Sequence, residues 1–178
     1  MRITPSQKNV VKALLAYAKK MDDWVKPIKN KRRFRSSAAN SFLLGVMFDR
    51  SINADRAWEA AEWINDSLGD PEDVTILWKE LKKIQPHKLT GFLRYGYGGK
   101  SFHRHYKTFA RQLPEVANII LEYYDGDPRK IWNNQRNVTK VRERFESLPG
   151  IGPALSRMAV LILARNYGLL GGVEVTSQ

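Results

Sequence analysis

Residues 141–164 read VRERFESLPGIGPALSRMAVLILA, and the way this stretch folds decides the architecture of the rest. Val141 and Phe145 recur one turn apart among charged residues. The first part therefore reads as an amphipathic helix, capped by Asn137 and with Val138 also inward. It ends at Leu148-Pro149-Gly150-Ile151-Gly152, and a second, apolar helix begins at once with Pro153 and runs to about Asn166, where Gly168 is its stop. Two helices joined by a glycine-framed hairpin have a physical use. Gly150 and Gly152 carry no side chain, so the backbone can come close to an anionic group. The N–H groups opening the second helix then face that group with the favourable end of the helix dipole. Pro153 gives up one donor but fixes the first turn, and Ile151 is expected to plug the hairpin into the core.

Working upstream, the same periodicity recurs. Ser36 or Ser37 caps a helix whose apolar face is Ala38, Phe42, Leu43, Val46 and Met47, ending near Asp49. Asn53 caps another, with Ala57, Trp58, Ala61, Trp63, Ile64 and Leu68 before Gly69. Asp70 and Pro71 open a third, running through Val74, Leu77, Trp78, Leu81 and Ile84 to stop before Pro86. Residues 92–111 differ: Tyr95, Tyr97, Phe102, Tyr106 and Phe109 alternate with basic residues, and Gly96, Gly98 and Gly99 make the first part a loop. Aromatics among basic groups suit stacking and phosphate contact, but the spacing of Phe102, Tyr106, Phe109, Ala110 and Leu113 fits a core stripe. We read the stripe as core and reserve contact for the glycine loop. His103 and His105 lack a third ligand nearby, so no metal site is expected there.

Pro114 starts a new helix or kinks the old one, after which Val116, Ile119, Ile120, Tyr123 and Tyr124 carry the pattern to Gly126. Asp127-Pro128 caps a short turn holding Ile131 and Trp132. At the N-terminal end, Val10, Val11, Leu14, Leu15, Ala18, Met21, Trp24 and Val25 form a helix with Thr4 and Gln7 at capping-box spacing, ended by Pro27. Eight to ten helices, no strand and no internal repeat predict an all-α, multi-helix domain. Its expected parts are an N-terminal helix and basic linker (1–35), the helical domain (36–170) and a short tail (171–178).

The 178 residues suit one core. Thirty Lys and Arg against 18 acids, a formal +12, point to a polyanionic partner, with nucleic acid the leading one. The run Lys29-Asn30-Lys31-Arg32-Arg33-Phe34-Arg35 is either a solvated linker or phosphate-contacting surface. A hydrophobic share of 43% excludes a disordered basic tail. Zero cysteines exclude a disulfide scaffold, a Cys-ligated zinc or iron-sulfur site and a thiol nucleophile. The longest apolar stretch, 158–164, is far below the ~18 residues of a membrane span, and no secretory signal is visible. A soluble protein of the cytoplasm, nucleoid-associated in a prokaryote, or of the nucleus is the expectation.

The hairpin Leu148-Pro149-Gly150-Ile151-Gly152, the small and apolar residues after it (Ala154, Ser156, Ala159, Val160), the upstream Ser41-Phe42-Leu43-Leu44-Gly45-Val46-Met47 and the helix order between them resemble the helix-hairpin-helix DNA glycosylase superfamily, endonuclease III-like, over residues 36–170. The resemblance implies an all-helical fold whose hairpin grips duplex DNA while a nucleotide is rotated out for cleavage of its base–sugar bond, the chemistry of base excision repair. It implies DNA contacts at Leu148, Pro149, Gly150, Ile151, Gly152 and Arg157. It also implies a monovalent cation held by the carbonyls of Glu146, Leu148 and Ile151. Lys140, Arg144 and Arg157 are the nearest basic candidates for flanking phosphates, with ordinary solvated charge the alternative.

The chain departs from the family in places. The lysine that forms a Schiff base in bifunctional members is replaced by Ala154, so lyase chemistry by that route is not expected. The family's catalytic carboxylate follows the second helix, where Glu174 is the only acid available. Either the chain stops short of that carboxylate or it has none, and the catalytic residue stays unassigned. The family's wedge residue falls in Asp49-Arg50-Ser51-Ile52-Asn53-Ala54-Asp55, where Ser51 and Asn53 are polar substitutes or simply turn and cap. If catalytic, the protein is expected to be a monofunctional N-glycosylase using a carboxylate and water. The alternative is a non-catalytic DNA-binding or scaffolding module.

Overall fold

In the computed structural model, which describes residues 36–135 and 137–170, α1 (Ser36–Phe48) is buried on every side from Ala39 to Phe48. The sequence pattern assigns it one apolar face, but Ala39, Leu44 and Gly45 fill the others, and a helix apolar all round belongs at the centre. Its buried Asn40 is fully paired: Oδ1 accepts from Trp78 Nε1 at 2.8 Å and Nδ2 donates to the Val74 carbonyl at 3.0 Å. Around it come α2 (Ala54–Leu68), α3 (Ile76–Lys83), α4 (Pro86–Tyr95), α5 (Tyr106–Tyr123), a 3-10 turn (Pro128–Ile131), α6 (Val138–Glu146) and α7 (Pro153–Arg165). The domain is all-α, with no strand among the described residues.

α2 lies along α1, close enough that a Cβ on Gly45 would sit 2.1 Å from the Trp58 ring. A glycine within a helix costs about 1 kcal/mol in propensity, and here it makes room for that indole. α3 and α4 both pack on α5, and α6 packs on α7. Phe42 joins the parts: its ring lies 5.8 Å from Trp58, 5.4 Å from Trp132 and 6.4 Å from Phe145, bringing α2, the 3-10 turn and α6 onto α1. At the far end of α1, Phe48 meets Phe102 at 4.9 Å and Phe109 at 5.0 Å, which anchors the entry to α5.

Three elements differ from the sequence expectation. The helix expected from Asp70 begins only at Ile76, because Asp70 Oδ1 accepts from the Glu72 and Asp73 amides and Asp73 Oδ1 from the Thr75 amide, making local turns instead. Residues 86–95 form α4, opened by Pro86 and anchored by Leu89 and Leu93. Pro114 neither starts nor breaks α5. The buried face Phe109, Ala110, Leu113, Val116, Ala117 and Ile120 runs through it and holds the helix together. The caps read from the sequence form: Asn53 Oδ1 accepts from the Arg56 amide, Asn137 Oδ1 from Lys140 and Asp127 Oδ1 from Arg129. The N-terminal helix, the basic run with Arg33 and the tail with Glu174 lie outside the described residues. No helix among the described residues is long and apolar enough to cross a membrane.

Candidate nucleic-acid interface

Between α6 and α7 the chain reverses in six residues. The Leu148 amide donates to the Phe145 carbonyl at 3.0 Å and the Ile151 amide to the Leu148 carbonyl at 3.1 Å. Leu148 and Ile151 are both buried, so the bend is nailed to the core at either side of Pro149-Gly150. The legs are also tied to each other, since the Ser156 hydroxyl on α7 donates to Glu146 Oε1 on α6 at 2.7 Å. Arg142 Nε lies 3.4 Å from the same carboxylate oxygen.

The two glycines do different work. Gly150 has φ +90°, a conformation that L side chains avoid, and a Cβ there would come within 2.7 Å of Gln112 Oε1. Gly152 is extended, at φ −93° and ψ −178°, and its missing Cβ faces open space with no atom within 4 Å. Gly152 is also the N-cap of α7 and offers no capping side chain. Pro153 has no N–H, and the amides of Ala154 and Leu155 belong to the first turn, where a helix supplies no acceptor of its own.

Ala154 and Leu155 line a wide depression of about 680 Å³. Its walls are the bend itself, Glu146, and two residues from far away in the sequence, Arg50 and Gln112. Sequence reasoning does not single out either. Arg50 stands in the 49–55 segment to which the glycosylase resemblance directs attention, which was a usable signal. Gln112 had none beyond falling off the core stripe of α5.

The position of Arg50 is set by a buried histidine. His103 is 2% exposed; its Nδ1 accepts from the His105 amide, which leaves Nε2 to donate to the Arg50 carbonyl, both at 2.9 Å. Burial pushes the imidazole down to about 4, so it is neutral at pH 7, and with both nitrogens engaged it is a structural pin and not a metal ligand. Ser51, next in the chain, adopts φ 60°, which turns the backbone sharply after Arg50. The Arg50 guanidinium lies 5.8 Å from the centre of the Phe109 ring. Asp49 is half-buried without an ion-pair partner among the described residues, and burial pushes its carboxyl above the usual carboxylate range.

The expected site residues are thus partly gathered. Residues 148–152 form one bend, with Leu148 and Ile151 inward and Gly152 exposed; Arg157 is exposed one turn into α7, and Ala154 is exposed at the first turn. Lys140 is exposed, whereas Arg144 is spent on structure: its Nη1 donates to the carbonyls of Lys130 and Ile131, fastening the 3-10 turn to α6. Asn53 serves as a cap. The carbonyls of Glu146, Leu148 and Ile151 belong to the same bend. Hard oxygen donors of this kind suit a monovalent cation, and the Leu148 oxygen, already accepting from Ile151, retains a second lone pair. Among the described residues no three His, Asp or Glu side chains converge as a metal site. Compared with protein-family models, curated proteins and solved structures, the chain finds no match.

Proposed function

We propose that this chain binds duplex DNA through the 148–152 bend, in the manner of a helix-hairpin-helix DNA glycosylase. The observation that carries the reading is the start of α7: an N-cap with no side chain, free first-turn amides and open space where the Gly152 side chain would be. A backbone phosphate is small, anionic and rich in acceptors, and it fits against such an end. The Ala154 and Leu155 amides donate to it, the helix dipole favours its charge, and a monovalent cation, if held by the carbonyls of Glu146, Leu148 and Ile151, would add positive charge for the phosphate. Arg50, across the depression, meets the duplex beside the gripped strand. Arg157 adds a flanking cation.

In this reading the chemistry is hydrolysis of the N-glycosidic bond of a damaged base by a carboxylate and water, without a covalent sugar adduct, since Ala154 supplies no amine. A second reading, a DNA-binding module without catalysis, draws on Ala154 and on the Glu146 carboxylate being tied to Ser156 and Arg142. A single-turnover assay on duplexes with different lesions separates the two. Base release with no borohydride-trapped adduct supports the glycosylase. No release from any lesion, with salt-dependent binding kept, leaves the module. Absence of DNA binding at moderate salt refutes both.

A further inference from the structure

From Leu81 to Pro114 the chain holds eight Lys and Arg and no acid, whereas the rest of the described residues hold ten Lys and Arg against fifteen Asp and Glu. Most of the excess positive charge of the described residues therefore lies on the last turn of α3, α4, the loop after it and the first half of α5, ahead of the α6–α7 segment with its five Lys and Arg against two Glu. The stretch from Leu81 to Pro114 adjoins the depression. Gln112, in its wall, neighbours Arg111, which lies about 100° round α5, and Lys107 stands one turn before Arg111 on the same exposed side. Next to Lys107, the Tyr106 ring lies 6.0 Å from the Arg94 guanidinium, whose other neighbour is the exposed Tyr95 ring at 4.9 Å. The guanidinium is drawn toward both rings, and its planar fork suits a phosphate.

We propose that Arg111, Lys107 and Arg94 form a phosphate track across α5, along which the duplex gripped at the bend continues. From Gln112 back to Tyr106 is about 9 Å of helix, and with the added reach of three long side chains the track meets two to three phosphates of one strand. Of the nearby acids, Glu59 accepts the Tyr97 hydroxyl, and the exposed Glu115, one turn beyond Arg111 on the same side of α5, marks where the track ends. This inference rests on the DNA-binding reading, and its test separates the two.

Binding of a labelled duplex is measured from low to moderate salt for the wild type, for Lys107→Ala/Arg111→Ala and for Gly152→Val. All three altered positions are exposed, so the fold persists. The double variant is expected to flatten the slope of log K against log salt by about 2, at ~0.9 per phosphate contact, whatever the sequence of the duplex. Arg94→Ala removes about one more unit. Lys79→Ala, on α3, leaves the slope unchanged. A wild-type slope in the double variant overturns the track, and the bend reading survives if Gly152→Val still loses affinity. If instead the double variant flattens the slope while Gly152→Val binds normally, the track stands and the bend reading falls.

Discussion

Replacing Gly152 by valine tests whether main-chain amides at the bend touch DNA. The backbone there is extended, which valine favours, and the new Cβ meets no atom within 4 Å. The stability cost is that of a poorer N-cap residue, about 1 kcal/mol. The binding cost is larger. Two methyl groups in the open space before α7 hold a phosphate away from the Ala154 and Leu155 amides, and each hydrogen bond to a charged acceptor is worth ~1.5–3 kcal/mol. Losing two at the low end removes about 3 kcal/mol, roughly a hundredfold in Kd. Fluorescence anisotropy of a labelled duplex at fixed salt, beside a thermal melt of the same preparation, reads both numbers. A variant that melts within a few degrees of the wild type and binds equally well refutes the amide contact. Gly150 is a poorer probe, because a side chain at φ +90° strains the backbone by ~1–3 kcal/mol and displaces Gln112, confusing lost binding with lost folding.

Two further outcomes follow from the core. Asn40→Ala leaves the Trp78 indole N–H and the Val74 carbonyl buried without partners. At ~1–3 kcal/mol each this costs about 3 kcal/mol, or roughly 10 °C in Tm, and a loss under 1 kcal/mol contradicts the pairing. His103 has a folded pKa near 4, below its ordinary value near 6.5, so between these the unfolded chain binds the extra proton and stability falls with pH from about 6.5 toward about 4. His103→Gln keeps a donor for the Arg50 carbonyl but cannot titrate; thermal melts across that range should show a flatter profile, and an unchanged profile refutes the assignment.

What was legible in the sequence followed from local rules. The caps at Asn53, Asp127 and Asn137 form because their short side chains reach an amide two or three residues on, whatever the surroundings. The bend at 148–152 was legible because glycine and proline punctuate, and the inward turn of Ile151 because a lone apolar residue between glycines has nowhere else to go. The central role of α1 was not: a helix covered on all sides and one covered on a single face both show Phe42, Leu43, Val46 and Met47 at helical spacing, and only its neighbours tell which it is. Asp70 misled because an Asx turn and an N-cap use the same oxygen on the same amides. Arg50 reaches the depression through Phe48, Phe102, Phe109 and His103, contacts spanning about sixty residues of chain, and no local pattern encodes such a meeting.

The two proposed DNA contacts, at the bend and on the basic face, would grip by different physics, and this makes them separable. At the bend the donors are neutral amides, so a phosphate bound there gains geometry and dipole without adding a lysine or arginine to the count of displaced counterions. On α5 the donors are full charges on long stems, which release counterions and tolerate displacement along the strand. A lesion at the bend therefore changes affinity at every salt concentration by nearly the same factor, leaving the slope intact, while a lesion on α5 changes the slope. In the proposed reading the charged face would hold the duplex at any sequence, leaving positioning to the rigid turn that Leu148 and Ile151 fasten to the core.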